Sequence, residues 1–352
     1  MQANDDIFSL LQEKGAQVAR ETLRAIILQP GAIGDCVLTL PLAAFMKRTL
    51  DLGGVDILGH TDYLGLLPGR TCVDGIRSID STDLHRLFTE PADFDLADRD
   101  SLIGTFADYA WIVTFLGEPG SNFEQNLIFT ANCSHSAEVI TLSMKPPEGF
   151  NRHIAEFYTQ QLIDQSGFSI EPSQVPQSDI LIRTGDADRK KGAELLQETG
   201  CDLSGNLLVI HPGSGGLKKC CYLDNFLIVA RQAQLKGWDT VFLLGPAELD
   251  RYSHGRIEDI NSVGACLTDL SLSHVVALLS CADAFIGNDS GITHLAAALG
   301  VRTFAVFGPT DPAVYAPLGP AVTVLRSKTA AFSERPSVTF QRKLLAALTT
   351  PV

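Results

Sequence analysis

No apolar run in the 352 residues approaches the roughly 20 that a membrane helix needs, and the first residues do not lead one to expect a secretory leader. A cytoplasmic protein is expected, with at most peripheral membrane contact. C-x-x-C spacing is missing: the eight cysteines stand at 36, 72, 133, 201, 220, 221, 266 and 281, which favours reduced thiols over a disulfide framework. The eight histidines form no H-E-x-x-H or comparable ligand set, so no metal is expected. An excess of basic charge is missing too. With 27 Lys+Arg against 41 Asp+Glu the net charge is −14, unsuited to a nucleic-acid partner. The G-x-G-x-x-G dinucleotide fingerprint is absent, which weakens an oxidoreductase reading. Low-complexity tracts and solenoid-length repeats are lacking as well.

What the chain has is length enough for two cores, with 45% hydrophobic residues to fill them. Strand signals at residues 25–28, 55–58, 75–79, 111–115 and 139–142 alternate with helical patterns, and a helix is expected over 151–166. A polar, proline-bearing stretch at 171–178 reads as a linker, dividing the chain into domains 1–175 and 176–352. Beyond it, strands are expected at 207–210, 240–244, 284–286, 303–307 and 322–325. Residues 1–21 read as an amphipathic helix through Ile7, Leu10, Leu11 and Val18. A tail helix over 336–349 is expected to pack back onto the first domain.

Three strand ends carry glycine-bearing turns. The clearest is Phe285-Ile286-Gly287-Asn288-Asp289-Ser290-Gly291, followed by an alanine-rich helix. A helix N-terminus leaves amide N–H groups without partners, and a glycine there lets an anion come close; Ser290 and Gly291 are therefore candidate diphosphate donors. A second turn, His211-Pro212-Gly213-Ser214-Gly215-Gly216-Leu217-Lys218-Lys219, adds two lysines able to meet phosphate oxygens as point charges. The third, Gln29-Pro30-Gly31-Ala32-Ile33-Gly34-Asp35, runs into an apolar helix over 37–50. Three such turns suit one polyphosphate ligand. The plainer alternatives are helix capping for Asp35 and Ser290, a solvated lysine pair for Lys218 and Lys219, and core packing for His294.

Together with Gly245-Pro246-Ala247-Glu248 and Phe307-Gly308-Pro309-Thr310-Asp311-Pro312, these blocks resemble glycosyltransferase family 9, the ADP-heptose:lipopolysaccharide heptosyltransferases, in family order across residues 25–312. The resemblance implies an α/β chain of GT-B fold, with two Rossmann-like domains whose parallel sheets face one another across a cleft. The first domain would receive the acceptor and the second the nucleotide sugar. It further implies inverting, metal-independent transfer of heptose from ADP-heptose to a hydroxyl of lipopolysaccharide core at the inner membrane face, with the nucleotide sugar as substrate and no cofactor. Asp35 matches the family's Gly-Asp motif and is the candidate base. Lys219 matches the lysine that steadies the departing diphosphate. Gly34, Ser214, Lys218, Glu248, Asp289, Ser290, Gly291 and His294 are the candidate donor-binding residues. Glu248 serves either the ribose hydroxyls or its own helix start. The sequence departs from the family after Lys219, where an aromatic and a proline are usual and Cys220-Cys221-Tyr222 stand instead, leaving Lys218 as substitute.

Charge bears on the acceptor. Residues 1–180 hold 11 Lys+Arg against 25 Asp+Glu, whereas residues 181–352 hold 16 of each. An acidic first half repels anionic lipid unless a local basic patch, with Lys47, Arg48, Arg70 and Arg77 as candidates, overrides it. Transfer to another glycan or a protein hydroxyl therefore stays open, as does a non-catalytic nucleotide-sugar binder, which retention of Asp35 opposes. The D-x-D pairs Asp93/Asp95, Asp98/Asp100 and Asp186/Asp188 read as solvated surface.

Overall fold

The computed structural model describes residues 23–167, 179–201, 205–327 and 330–349. The expected helix at 1–21 and the linker at 171–178 lie outside the described residues. Two compact units emerge. Within the described residues, one comprises 23–32, 39–148 and 155–167, and the other 33–38, 149–154 and everything from 179 onward.

The first unit is built on β1 (Arg24–Gln29), β2 (Gly54–Gly59), β3 (Gly75–Ser78), β4 (Trp111–Thr114) and β5 (Glu138–Thr141), all parallel in the order β3-β2-β1-β4-β5. Helices α1 (Ile33–Thr49), α2 (Thr61–Leu64), α3 (Ser101–Phe106), α4 (Asn122–Asn132) and α5 (Ile154–Ser166) connect and cover the strands. Its central strands are near-continuous apolar runs, as parallel strands covered on both faces must be. Ile26, Leu28, Leu58 and Ile112 pack with Phe106, Phe123 and Leu127 of α3 and α4. Asp56, the buried carboxylate of β2, is satisfied by Arg24 of β1 at 2.5 Å and by the Tyr109 hydroxyl, which donates at 2.6 Å. Burial, followed by the bond to Asp56, pushes the Tyr109 phenol up to about 12.

The second unit carries β6 (Asn206–His211), β7 (Trp238–Leu244), β8 (Ala265–Thr268), β9 (Ala284–Asn288), β10 (Arg302–Phe307) and β11 (Val322–Arg326), again all parallel, in the order β11-β10-β9-β6-β7-β8. Strand β8 has no counterpart in the sequence reading. It is a four-residue edge strand in which every residue is half-buried, so neither an apolar run nor a clean alternation announces it. The helices are α6 (Asp186–Glu198), α7 (Leu223–Gln234), α8 (Pro246–Arg251), α9 (His254–Asn261), α10 (Leu272–Leu279), α11 (Gly291–Ala298), α12 (Pro312–Tyr315) and α13 (Val338–Thr349).

The tail helix corrects an expectation. Phe340, Leu344 and Leu348 of α13 belong to the core of the second unit, with Phe226 and Val229 of α7 and Phe242 and Phe304 of the sheet. A buried polar anchor fixes it there: the Asn225 amide oxygen accepts from the Ser337 N–H at 2.8 Å and from Gln341 Nε2 at 3.1 Å. A sequence shows that such a helix has an apolar face, and only packing decides which face covers it.

After β6 the chain builds outward through β7 and β8, then returns to lay β9 on the other side of β6. The loops leaving β6 and β9 consequently run in opposite directions, and a crevice opens at the carboxyl ends of these two strands, where doubly wound sheets bind ligands. Both glycine-bearing turns of the second half leave the sheet at this point. Among the described residues no helix is long and apolar enough to cross a membrane.

Candidate functional site

His211–Ser214 and Asn288–His294 face each other across the β6/β9 pairing, in which His211 is opposite Gly287. Asn288, fully buried, ties the two loops together. Its Oδ1 accepts from the Cys221 N–H at 2.9 Å, and its Nδ2 donates to the Pro212 carbonyl oxygen at 2.7 Å. The Ser214 hydroxyl adds a second tie by donating to the Asp289 carbonyl oxygen at 2.7 Å. With its ends so pinned, the loop holds its middle open: the amides of Gly213, Ser214, Gly215 and Gly216 meet no acceptor among the described residues. A side chain at 213 would displace Glu248, because a Cβ there would lie 1.9 Å from Glu248 Oε1.

Ser290 is the N-cap of α11, its hydroxyl accepting from the Thr293 N–H at 3.4 Å, while the first-turn amides of Gly291 and Ile292 have no intrahelical acceptor. Gly291 is required for close approach, since a Cβ would stand 2.7 Å from Ile33 Cβ. The α1 turn at 33–38 belongs to the same unit, and Gly34 sits against His294 so closely that a Cβ would come within 3.3 Å of its ring. Asp35 lies in the first turn of α1, which begins at Ile33. It therefore does not cap a helix starting at Cys36; as a first-turn carboxylate it favours the helix through the macrodipole.

Lys219 Nζ is 2.8 Å from Asp289 Oδ2. That oxygen accepts no aligned hydrogen bond, so its partner is the ammonium charge. His294 Nε2 faces Asp289 Oδ1 at 3.9 Å, and its Nδ1 is buried without a partner among the described residues. Burial works against ionisation of Asp289, but His294, Lys219 and Thr310 outweigh it and hold the carboxyl at about 2. The site thus carries a fixed carboxylate and a lysine whose charge is drawn towards it. Tyr315, half-buried on α12, was not anticipated from sequence. Burial raises its phenol pKa, with Asp35 and Asp289 raising it and Lys219 lowering it, which sets all three within electrostatic reach of one hydroxyl.

Glu248 is 3% exposed, and its Oε2 accepts the Gly245 N–H at 3.0 Å in a capping box that starts α8. His211 donates from Nδ1 to the Leu243 carbonyl oxygen at 2.9 Å; burial lowers its pKa against the pull of Glu248, so the ring is neutral. It orients the start of the loop. Lys218 does not meet Asp289; it lines a different cavity with Arg251. The unusual cysteines fill structural places. Cys220 Sγ is 3.1 Å from Arg251 Nη1, and Cys221, 3% exposed, accepts from Asn225 Nδ2 at 3.2 Å while burial pushes its thiol up to about 12.

Of the four candidate basic-patch residues, Lys47 pairs with Asp74 at 2.7 Å and Arg77 donates to the Tyr109 hydroxyl at 2.8 Å. Among the D-x-D residues, Asp100 pairs with Arg86 and caps α3, and Asp188 accepts the Gly185 N–H at the start of α6. No group of three or more His, Cys, Asp or Glu able to hold a metal ion occurs among the described residues.

The family model described as glycosyltransferase family 9 (heptosyltransferase) matches residues 158–343, more than half of the chain. The chain belongs to glycosyltransferase family 9. This family 9 chain is 39% identical over 77 residues to lipopolysaccharide heptosyltransferase 1 of Pseudomonas aeruginosa, a stretch covering 22% of the chain and only 21% of that relative's length. Among solved structures, the E. coli ADP-heptose LPS heptosyltransferase II aligns over 93% of this chain and 97% of its own at TM-score 0.69 and 16% identity. A family 9 glycosyl transferase from Veillonella parvula aligns over 87% and 86% at TM-score 0.64 and 17% identity. The E. coli heptosyltransferase WaaC with ADP aligns over 92% and 99% at TM-score 0.61 and 16% identity. At such identities the likeness is one of fold: the family 9 chain has the two parallel-sheet α/β units of GT-B glycosyltransferases.

Proposed function

We propose that the protein is an inverting glycosyltransferase that moves heptose from ADP-heptose to an acceptor hydroxyl without a metal ion. One observation carries it: at the β6/β9 switch point a lysine held by a buried carboxylate, Lys219 with Asp289, stands in the same site as loop amides that have no acceptor in the protein. Such a set suits a diphosphate, and it supplies the charge compensation that a divalent cation supplies elsewhere. Names of the relatives support the donor, since one neighbour was solved with ADP and another with ADP-2-deoxy-2-fluoro heptose.

In the proposed step the acceptor oxygen attacks the anomeric carbon from the face opposite the diphosphate, and the Asp35 carboxylate takes the hydroxyl proton. The bond between the anomeric carbon and the phosphate oxygen breaks as the new glycosidic bond forms. ADP leaves with the electron pair, and Lys219 together with the loop and α11 amides stabilises the charge that develops on it. Ser214, Ser290 and His294 hold the diphosphate, Gly34 and Gly291 allow close approach, and Glu248 has one oxygen left for the ribose. The protein would act in the cytoplasm.

Lipopolysaccharide core is the acceptor that the family suggests, but a second reading has its own support. The first 180 residues are strongly acidic, and Lys47, one of the cations that might have offset this, is neutralised by Asp74 at 2.7 Å. An acceptor with few phosphates, such as a neutral glycan, fits that surface better. The deciding experiment follows ADP release from ADP-heptose with EDTA present, across phosphorylated core oligosaccharide, dephosphorylated core and neutral glycans. Turnover with any of them supports glycosyl transfer and names the acceptor class. Binding of ADP with no turnover on the whole panel would leave a nucleotide-sugar binder.

A further inference from the structure

Lys218 and Arg251 belong to a cavity of about 350 Å³ whose walls also include Cys220, Tyr222, Tyr252 and Arg256. Lys219 and Asp289 are not among its walls. The three cations differ in a telling way. Arg256 is neutralised by Asp224 and by Asp259, the latter at 2.8 Å. Arg251 has no carboxylate at ion-pair distance among the described residues: it donates to Cys220 Sγ at 3.1 Å and, weakly, to the Ser214 carbonyl oxygen at 3.4 Å. The nearby Glu248 has one oxygen committed to the Gly245 N–H. Lys218 likewise has no anionic partner among the described residues. A guanidinium carries five N–H donors in a planar fork, so Arg251 keeps donors for a bidentate oxyanion, and Lys218 adds a second charge. The volume is at the lower end of small-molecule sites, and two tyrosine rings offer apolar faces with hydroxyl edges.

We propose that this cavity binds a phosphomonoester of monosaccharide size, apart from the donor site, and that its occupancy weakens donor binding. The binding half stands on the cavity alone, whereas the coupling half rests on the donor reading given above. The structure supplies a path for the coupling. Arg251 donates to the Ser214 carbonyl, Ser214 donates to the Asp289 carbonyl, and Asp289 holds Lys219. An anion that recruits the guanidinium releases the Ser214 carbonyl and loosens this chain. Its own charge also repels a diphosphate at the neighbouring loop. Both effects lower ADP affinity, and by linkage ADP lowers the affinity for the phosphomonoester by the same factor.

Calorimetric titration of the full chain with glucose 6-phosphate, with glucose as the uncharged control, reads the first half directly. Glucose 6-phosphate is expected to bind and glucose is not. In ADP titrations at rising glucose 6-phosphate, the apparent Kd should climb by about 5-fold and then level off, as two coupled sites require. Arg251→Gln should lose both the binding and the plateau, and Arg251→Lys, which keeps the charge, should retain most of both. If Arg251→Gln does not fold by circular dichroism, Lys218→Gln replaces it, with several-fold weaker glucose 6-phosphate binding expected. No heat with glucose 6-phosphate, binding unchanged in these variants, or an ADP Kd that rises without limit, which marks competition inside the donor site, would overturn the proposal. A chain that ignores ADP would refute the donor reading alone, since binding of glucose 6-phosphate to wild type and Arg251→Gln still decides the cavity.

Discussion

Asn288 accepts the Cys221 N–H at 2.9 Å while donating to the Pro212 carbonyl, so one buried side chain at the end of β9 holds both shoulders of the loop that follows β6. The phosphate-suited loop is thereby set by its neighbour strand rather than by its own glycines. Replacing Asn288 with leucine keeps the γ-branched shape and strands a buried carbonyl and a buried N–H. A loss of about 2–4 kcal/mol is expected in urea unfolding, since each unpaired buried group costs about 1–3 kcal/mol. ADP affinity should fall with it. An unchanged midpoint would show that the loop is held by the Ser214 tie alone.

Asp289 makes stability depend on pH in a definite direction. Its carboxyl is held at about 2 in the folded protein against an ordinary value of 3.8. The unfolded chain therefore binds more protons between these values, and the stabilisation is complete above roughly pH 5 and lost as the pH falls through 2. Its size is about 2 kcal/mol, taking 1.36 kcal/mol per unit. Asp289→Asn should remove this component, so that the difference in unfolding free energy between wild type and variant shrinks from pH 6 to pH 2. A constant difference would mean that the ion pair with Lys219 does not set this titration.

Lys219→Ala should weaken ADP binding by about 1.5–3 kcal/mol, the range for loss of a hydrogen bond to a charged group. AMP binding should change less, because the motivating geometry is a set of donors suited to a diphosphate. Calorimetry with both nucleotides separates the two. Equal losses for AMP and ADP would move Lys219 away from the second phosphate.

Asp35→Asn keeps the size of the side chain and removes its ability to take a proton. Turnover should fall by about 10²–10⁴ with ADP affinity and melting temperature nearly unchanged, because the residue sits inside the first turn of α1 and is not its cap. Full activity would reduce Asp35 to a favourable charge at a helix start. Loss of ADP binding together with stability would show that the turn against Gly291 and His294 had collapsed.

Periodicity and turn chemistry were enough to reveal ten of the eleven strands among the described residues, the helix now seen at Ile154–Ser166 and the three glycine turns, because each of those signals is local: an apolar run between turn formers is visible wherever it folds. The half-buried edge strand β8 gave no such signal. The tail helix was legible as a helix, but its seat beside α7 depends on Asn225 meeting Ser337 and Gln341 across more than a hundred residues. The candidate site divides the same way. Gly213, Lys219, Asp289 and Ser290 stand out as residue types at strand ends, whereas Asn288 passes for an ordinary turn residue until its side chain is seen bridging to Pro212 and Cys221. Tyr315 is invisible until the fold brings it near Asp35, Lys219 and Asp289. Sequence by itself determined which residues could serve a diphosphate, because backbone freedom and side-chain charge are properties of residue type. Tertiary structure decided that Lys219 faces Asp289 while Lys218 lines a cavity with Arg251, because two adjacent residues on a 3₁₀ turn project in different directions and only the packing around that turn gives each direction its partner.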